Sequence, residues 1–197
     1  LSEGARHLET FISHNWSVPR WKKFAALAFY FNFWMASSAM AVLAVPVGLA
    51  SAHGLLPTTS AGLWHIYPGG YVCRLLWGPL YLVIILFLRD FLWCFGYKGR
   101  LVFLDKVCIS QTDDRAKERG IKKLGAFLSK SGTMLVLYTD LYLTRLWTIY
   151  EMATFLAVRT IDDLTIVPIL QATLYFAIVG LASVAIWLDM LVHTFTD

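Results

Sequence analysis

One carboxylate, Glu151, stands in an otherwise apolar run from Leu146 to Val158. Trp147 lies one helical turn before it and would share its face, offering an aromatic wall. A lone anion so placed can stabilise a developing cation. The same pattern also describes a structural carboxylate, solvated or ion-paired on its helix, and Trp147 equally suits a core position. Other chemistry finds less material. His14 has no carboxylate or nucleophile near it in sequence and reads as a loop histidine. Cys73, Cys94 and Cys108 lack metal-like or redox-like spacing, so they read as buried thiols and no metal site is expected. Asp105 and Lys106 read as a structural pair.

The elements that must position Glu151 are set by where charge is missing. Apolar residues make up 58% of the 197 and charged residues 15%, more apolar surface than one soluble core can hide, so the lipid bilayer is the expected partner. Residues 24–73 contain no Asp, Glu, Lys or Arg, and neither do residues 164–188. A helix needs about 20 apolar residues to cross the hydrocarbon. Three spans are expected, at about 24–52, 71–95 and 170–192, with Arg89 and Asp90 near one end of the second and offsetting each other. Arg20, Lys22 and Lys23 precede the first span and Lys98 and Arg100 follow the second, whereas residues 51–70 carry no Lys or Arg. Spans one and two therefore read as a hairpin with both ends in the cytosol. The net charge of +4 is spread out, which gives nucleic-acid binding little support. The chain opens on Leu1 without a signal-peptide pattern and reads as a piece of a longer protein.

The polar middle alternates strand and helix. Leu101 to Cys108, Thr133 to Tyr138 and Leu164 to Ile169 are short runs suited to buried strands. Between them, Asp113 to Lys130 patterns as a helix burying Ile121, Leu124, Phe127 and Leu128, with Gly120 costing about 1 kcal/mol of helix preference. A second helix is expected from an Asp140 cap to Val158, with Leu143, Leu146, Tyr150, Ala153 and Ala157 toward the core. Such β-α-β-α-β order implies a small parallel sheet. The fold class expected is thus α/β plus membrane helices.

Glu9 to Trp16 supplies one further strand, and here the sequence resembles a known family. Thr10-Phe11-Ile12-Ser13-His14-Asn15-Trp16 resembles the opening strand of Toll/interleukin-1 receptor (TIR) domains. Val102 to Asp114 is similar to the second strand and its loop, and Gly120 to Thr139 to the next helix and third strand. Tyr142-Leu143-Thr144-Arg145-Leu146-Trp147-Thr148-Ile149-Tyr150-Glu151-Met152 resembles the family's Tyr…Arg/Ser-x-Trp-Cys-x-x-Glu-Leu motif, with Thr148 standing where Cys is usual. The resemblance covers residues 9–23 and 98–169. It implies a TIR/flavodoxin-like sheet split by a membrane hairpin: residues 1–23 carrying the first strand and the start of a first helix (Pro19 to Ala28), 24–97 the insertion, 98–169 the remainder and 170–192 a third span. No fifth strand or last helix is evident before that span.

In open α/β sheets the ligand crevice lies at the carboxyl ends of the strands, here Ser13 to Trp16, Ser110 to Asp114 and Asp140 to Glu151. Active TIR domains hydrolyse the nicotinamide-ribose bond of NAD, so the resemblance implies Glu151 as the catalytic residue, with Ser13, Trp16 and Trp147 binding NAD as substrate and no bound cofactor. Nicotinamide leaves as a neutral molecule, so a carboxylate facing the oxocarbenium-like ribose suffices. The resemblance equally implies a signalling or defence module that self-associates, with Glu151 structural. A transporter or channel ranks last, because no span carries a row of ionisable or Gly/Pro-broken positions.

Overall fold

Among the described residues, four parallel strands form one sheet: β1 (Leu8–His14), β2 (Val102–Leu104), β3 (Ser131–Tyr138) and β4 (Leu164–Pro168). They pair in the order β2-β1-β3-β4. Phe11 is opposite Phe103 on one side and Met134 on the other, and Ser13 is opposite Val136. β4 extends the sheet through Val136 opposite Ile166 and Leu137 opposite Val167. The two inner strands, β1 and β3, are buried along most of their length, as parallel strands covered on both faces must be. Pro168, which cannot donate to a ladder, ends an edge strand. This computed structural model describes residues 8–56, 58–59, 69–104, 115 and 124–196.

The chain divides into two compact units, one of residues 1–26 and 98–171, the other of residues 27–97 and 172–197. The first is the α/β unit. Its core is aromatic and aliphatic: Phe11 stacks on Phe103 at 5.1 Å and Phe103 on Phe127 at 4.6 Å, beside buried Leu124, Leu128, Met134, Val136, Tyr142 and Phe155. Leu124 and Leu128, four apart, form the buried stripe of a short helix (Leu124–Lys130), as their spacing predicts. The expected beginning of that helix from Asp113, the loop Ser110 to Asp114, Asp105 and Lys106 with the rest of the second strand, and Cys108 lie outside the described residues.

The second unit holds most of three helices long and apolar enough to cross a membrane: α1 (Arg20–Ala52), α2 (Tyr71–Cys94) and, after α3 (Leu124–Lys130) and α4 (Leu146–Leu156), α5 (Ile169–Thr196). The expected first helix and first span are one uninterrupted helix, α1, with Pro46 inside it. Cross-helix contacts set the helix directions. Asn32 donates to the Ile85 carbonyl at 2.8 Å, and the Ser37 and Tyr81 hydroxyls lie 3.0 Å apart, so α2 runs antiparallel to α1. Tyr175 donates to Tyr81 at 2.6 Å and Trp187 to the Leu75 carbonyl at 2.7 Å, so α5 runs antiparallel to α2. Arg89 finds its partners on α1, the Asn32 carboxamide oxygen at 3.0 Å and the Phe31 carbonyl at 3.2 Å, where sequence proximity had suggested Asp90. Gly78 permits the α2–α5 approach: a Cβ there would sit 2.1 Å from Ser183 Oγ.

α4 departs from expectation in extent and in face. The chain after β3 makes a 3-10 turn at Tyr142–Thr144, Arg145 is extended, and the α-helix begins only at Leu146. Asp140 caps neither element, and Arg145, at the α4 N-cap, makes no side-chain capping bond. Leu143, Leu146, Tyr150, Ala153 and Ala157, expected in the core, are exposed, Leu146 to 83%. The buried face is Thr148, Glu151 and Phe155. Polar groups displace apolar ones there because each finds a hydrogen bond inside the unit, which removes most of the cost of burying them.

Candidate functional site

The order β2-β1-β3-β4 reverses direction between β1 and β3, and the crevice outside such a reversal is where open α/β sheets bind ligands. Three side chains meet at the carboxyl ends of these two strands. Ser13, the penultimate residue of β1, donates from Oγ to Glu151 Oε2 at 2.5 Å. The Tyr142 hydroxyl, on the 3-10 turn that follows β3, lies 2.6 Å from the same Oγ. All three are interior: Ser13 is 1% exposed, Glu151 2% and Tyr142 0%.

Each element brings its side chain there for a local reason. The period of two along β1 would turn Ser13 to the face opposite Ile12, and both faces are covered. The turn after β3 is fixed by backbone bonds from Tyr142 N to Thr139 O at 2.8 Å and from Thr144 N to Leu141 O at 3.3 Å. Thr148 completes it, the single proton of its hydroxyl shared between the Tyr142 carbonyl and, at 2.9 Å, the Arg145 carbonyl. Thr148 thus stitches α4 to the turn carrying Tyr142. The end of β1 is tied to the same turn by Asn15, whose side-chain NH2 donates to the Leu141 carbonyl at 3.4 Å. Asn15 Oδ1 accepts from Ser17 N at 3.0 Å, and Lys23 donates to the Asn15 carbonyl at 3.4 Å.

Burial dominates the electrostatics. It pushes the Tyr142 phenol up to about 12, and the negative charge of Glu151 adds to the rise. Tyr142 therefore keeps its proton, and can act as a donor, at any physiological pH.

Of the four residues singled out in the sequence, Ser13 and Glu151 are in direct contact. Trp147 packs, half-buried, against the hydrophobic core together with Phe127, Tyr138 and Met152, and its ring lies 6.2 Å from that of Tyr150. Its indole Nε1 is buried and has no hydrogen-bond partner among the described residues, as is true of Thr139 Oγ1 just after β3. Trp16, in the turn after β1, is 46% exposed. Tyr142 and Thr148 are the residues whose contribution sequence reading misses. Both lie inside the Tyr142–Met152 run, and the signal available was that a tyrosine opens it. No cluster of His, Cys, Asp or Glu that could hold a metal occurs among the described residues. In comparisons with protein-family models, with curated proteins and with solved structures, the chain matches none.

Proposed function

We propose that this chain is a membrane-anchored, TIR-like signalling or defence protein that hydrolyses the nicotinamide-ribose bond of NAD. The observation that carries the reading is the Ser13–Glu151 hydrogen bond at the sheet's reversal point. A resemblance that names one residue from β1 and one from α4, 138 positions apart, would bring them together only by chance if it were empty. The strand order is also that of the first four strands of a flavodoxin-like sheet. In this reading Glu151 faces the ribosyl cation, Ser13 orients the carboxylate, and Trp147 and Trp16 flank the nucleotide. Because Ser13 and Glu151 are enclosed, the turn at Tyr142–Thr144 or the β1–α1 loop opens to admit NAD. The extramembrane unit faces the cytosol, by the basic flanks of the spans. Nicotinamide release from NAD by the purified protein tests the proposal: Glu151→Ala abolishes release while the fold persists.

A second reading, self-association without catalysis, is favoured by one observation. Leu143, Leu146, Ile149 and Tyr150 expose an apolar face on the outer side of the turn and α4. A monomer rarely leaves a contiguous patch of this kind open without a partner for it.

A further inference from the structure

Resting on the reading of Glu151 as the catalytic carboxylate, we infer that Tyr142 is a positioning residue, the outer member of a hydroxyl relay Tyr142–Ser13–Glu151 that fixes the carboxylate's direction.

Proton counting sets the direction of the relay. A serine hydroxyl has one proton and two lone pairs. Ser13 gives its proton to Glu151 Oε2, so toward Tyr142 its oxygen is an acceptor, and the phenol at 2.6 Å is the donor. A serine that accepts from one side is a stronger donor on the other, because hydrogen bonds in a chain polarise one another. The relay also fixes a rotamer. Alone, the Ser13 hydroxyl could turn about its Cα–Cβ bond; held between two partners it has one orientation, and so does the carboxylate it binds. Tyr142 is itself held at both ends. Its ring lies in the core with Phe11 and Phe155, and its carbonyl accepts from Thr148. The geometry runs in a closed loop: Thr148 on α4 fixes the turn, the turn aims the Tyr142 hydroxyl, the hydroxyl fixes Ser13 on β1, and Ser13 returns to Glu151 on α4, three residues beyond Thr148.

The function of such a loop is orientation. Stabilising a ribosyl cation depends on where the carboxylate oxygens lie when the bond breaks, and a small displacement is costly. Losing the outer hydroxyl should therefore leave substrate binding alone and slow the chemical step.

Tyr142→Phe tests this in the full chain, because it removes the hydroxyl and retains the ring that fills the core. Two readouts are taken. In NAD hydrolysis, kcat falls by about tenfold or more while KM stays within about twofold. In isotope-edited infrared spectra, the Glu151 carboxyl band, identified by its loss in Glu151→Gln, shifts in Tyr142→Phe. If Tyr142→Phe does not fold, 3-fluorotyrosine incorporated at position 142 keeps the ring and the hydroxyl and makes the phenol a stronger donor; the band then moves the opposite way. An unmoved Glu151 band, or an unchanged kcat in a parent that turns over NAD, overturns the relay. A parent that releases no nicotinamide removes the hydrolase reading instead, and the infrared band alone then decides whether Tyr142 orients Glu151.

Discussion

Ser13 and Glu151, 138 positions apart in the chain, share a hydrogen bond of 2.5 Å in the interior of the α/β unit. The buried carboxylate has its donor on β1, one of the two inner strands of the sheet. The contact therefore links the position of α4 to the middle of the sheet.

Removing the donor has a defined cost. Ser13→Ala removes the hydroxyl that bridges Tyr142 and Glu151, and the loss of buried hydrogen bonding there costs about 1–3 kcal/mol. Hydrogen–deuterium exchange of the β1 and β3 amides reads this loss as faster exchange of both strands. Combined with Tyr142→Phe, the loss is smaller than the sum of the single variants, because the two share one network. Unchanged protection in Ser13→Ala would show that the bond contributes nothing to the fold.

The phenol gives a pH signature. Tyr142 is raised from 10.0 to about 12, first by burial, with the charge of Glu151 adding to the rise. Between these values the unfolded chain has released this proton and the folded chain has kept it, so folding stability falls as pH rises through that window and is level below pH 10 as far as Tyr142 is concerned. The phenolate absorbance of the parent minus that of Tyr142→Phe isolates the group and titrates near pH 12. A difference that titrates at the ordinary tyrosine value would mean that the hydroxyl is open to solvent.

Part of this was legible in the sequence, and the remainder was not for physical reasons. The long helices announce themselves because charge is costly in hydrocarbon, and residues 24–73 and 164–188 carry none. The strands are visible as short apolar runs bounded by polar residues. The face of α4 is not visible. Hydropathy chooses Leu143, Leu146 and Tyr150 for the core, yet Thr148, Glu151 and Phe155 are buried. Their burial is made affordable by partners on β1 and on the turn, and a contact between residues 13 and 151 leaves no periodic trace in either segment. Ser13 and Glu151 came to attention through resemblance to a motif, and Tyr142 and Thr148 only through geometry.

The exposed face of that helix makes its own prediction. Leu146→Asp places a charge on a side chain that is 83% exposed, so the α/β unit folds as before, with stability changed by about 0.5 kcal/mol or less. Self-association, measured by crosslinking or by single-molecule photobleaching in membranes, drops if this face is the contact between copies. Parent-like association in Leu146→Asp would place that contact elsewhere.

The three long apolar helices offer a separate check. Gly78→Ala sets a Cβ 2.1 Å from Ser183 Oγ and 3.1 Å from Ser183 Cβ, so the Ser183 hydroxyl turns away from its bond to Val179 and the helices give locally, at about 1–3 kcal/mol. Ser183→Ala in the same chain removes the closer clash and restores part of the loss. Unfolding in mixed detergent micelles measures both. Additive effects of the two substitutions would show that the helices do not meet at this point.

Release of nicotinamide from NAD, measured on the full chain reconstituted in liposomes at a density that clusters it, decides whether Glu151 carries a hydrolase site. The expected outcome is that the parent releases nicotinamide and that Glu151→Gln, which keeps the shape of the side chain and removes its charge, lowers the rate by at least about a hundredfold. No release by the parent, or equal release by Glu151→Gln, would contradict it.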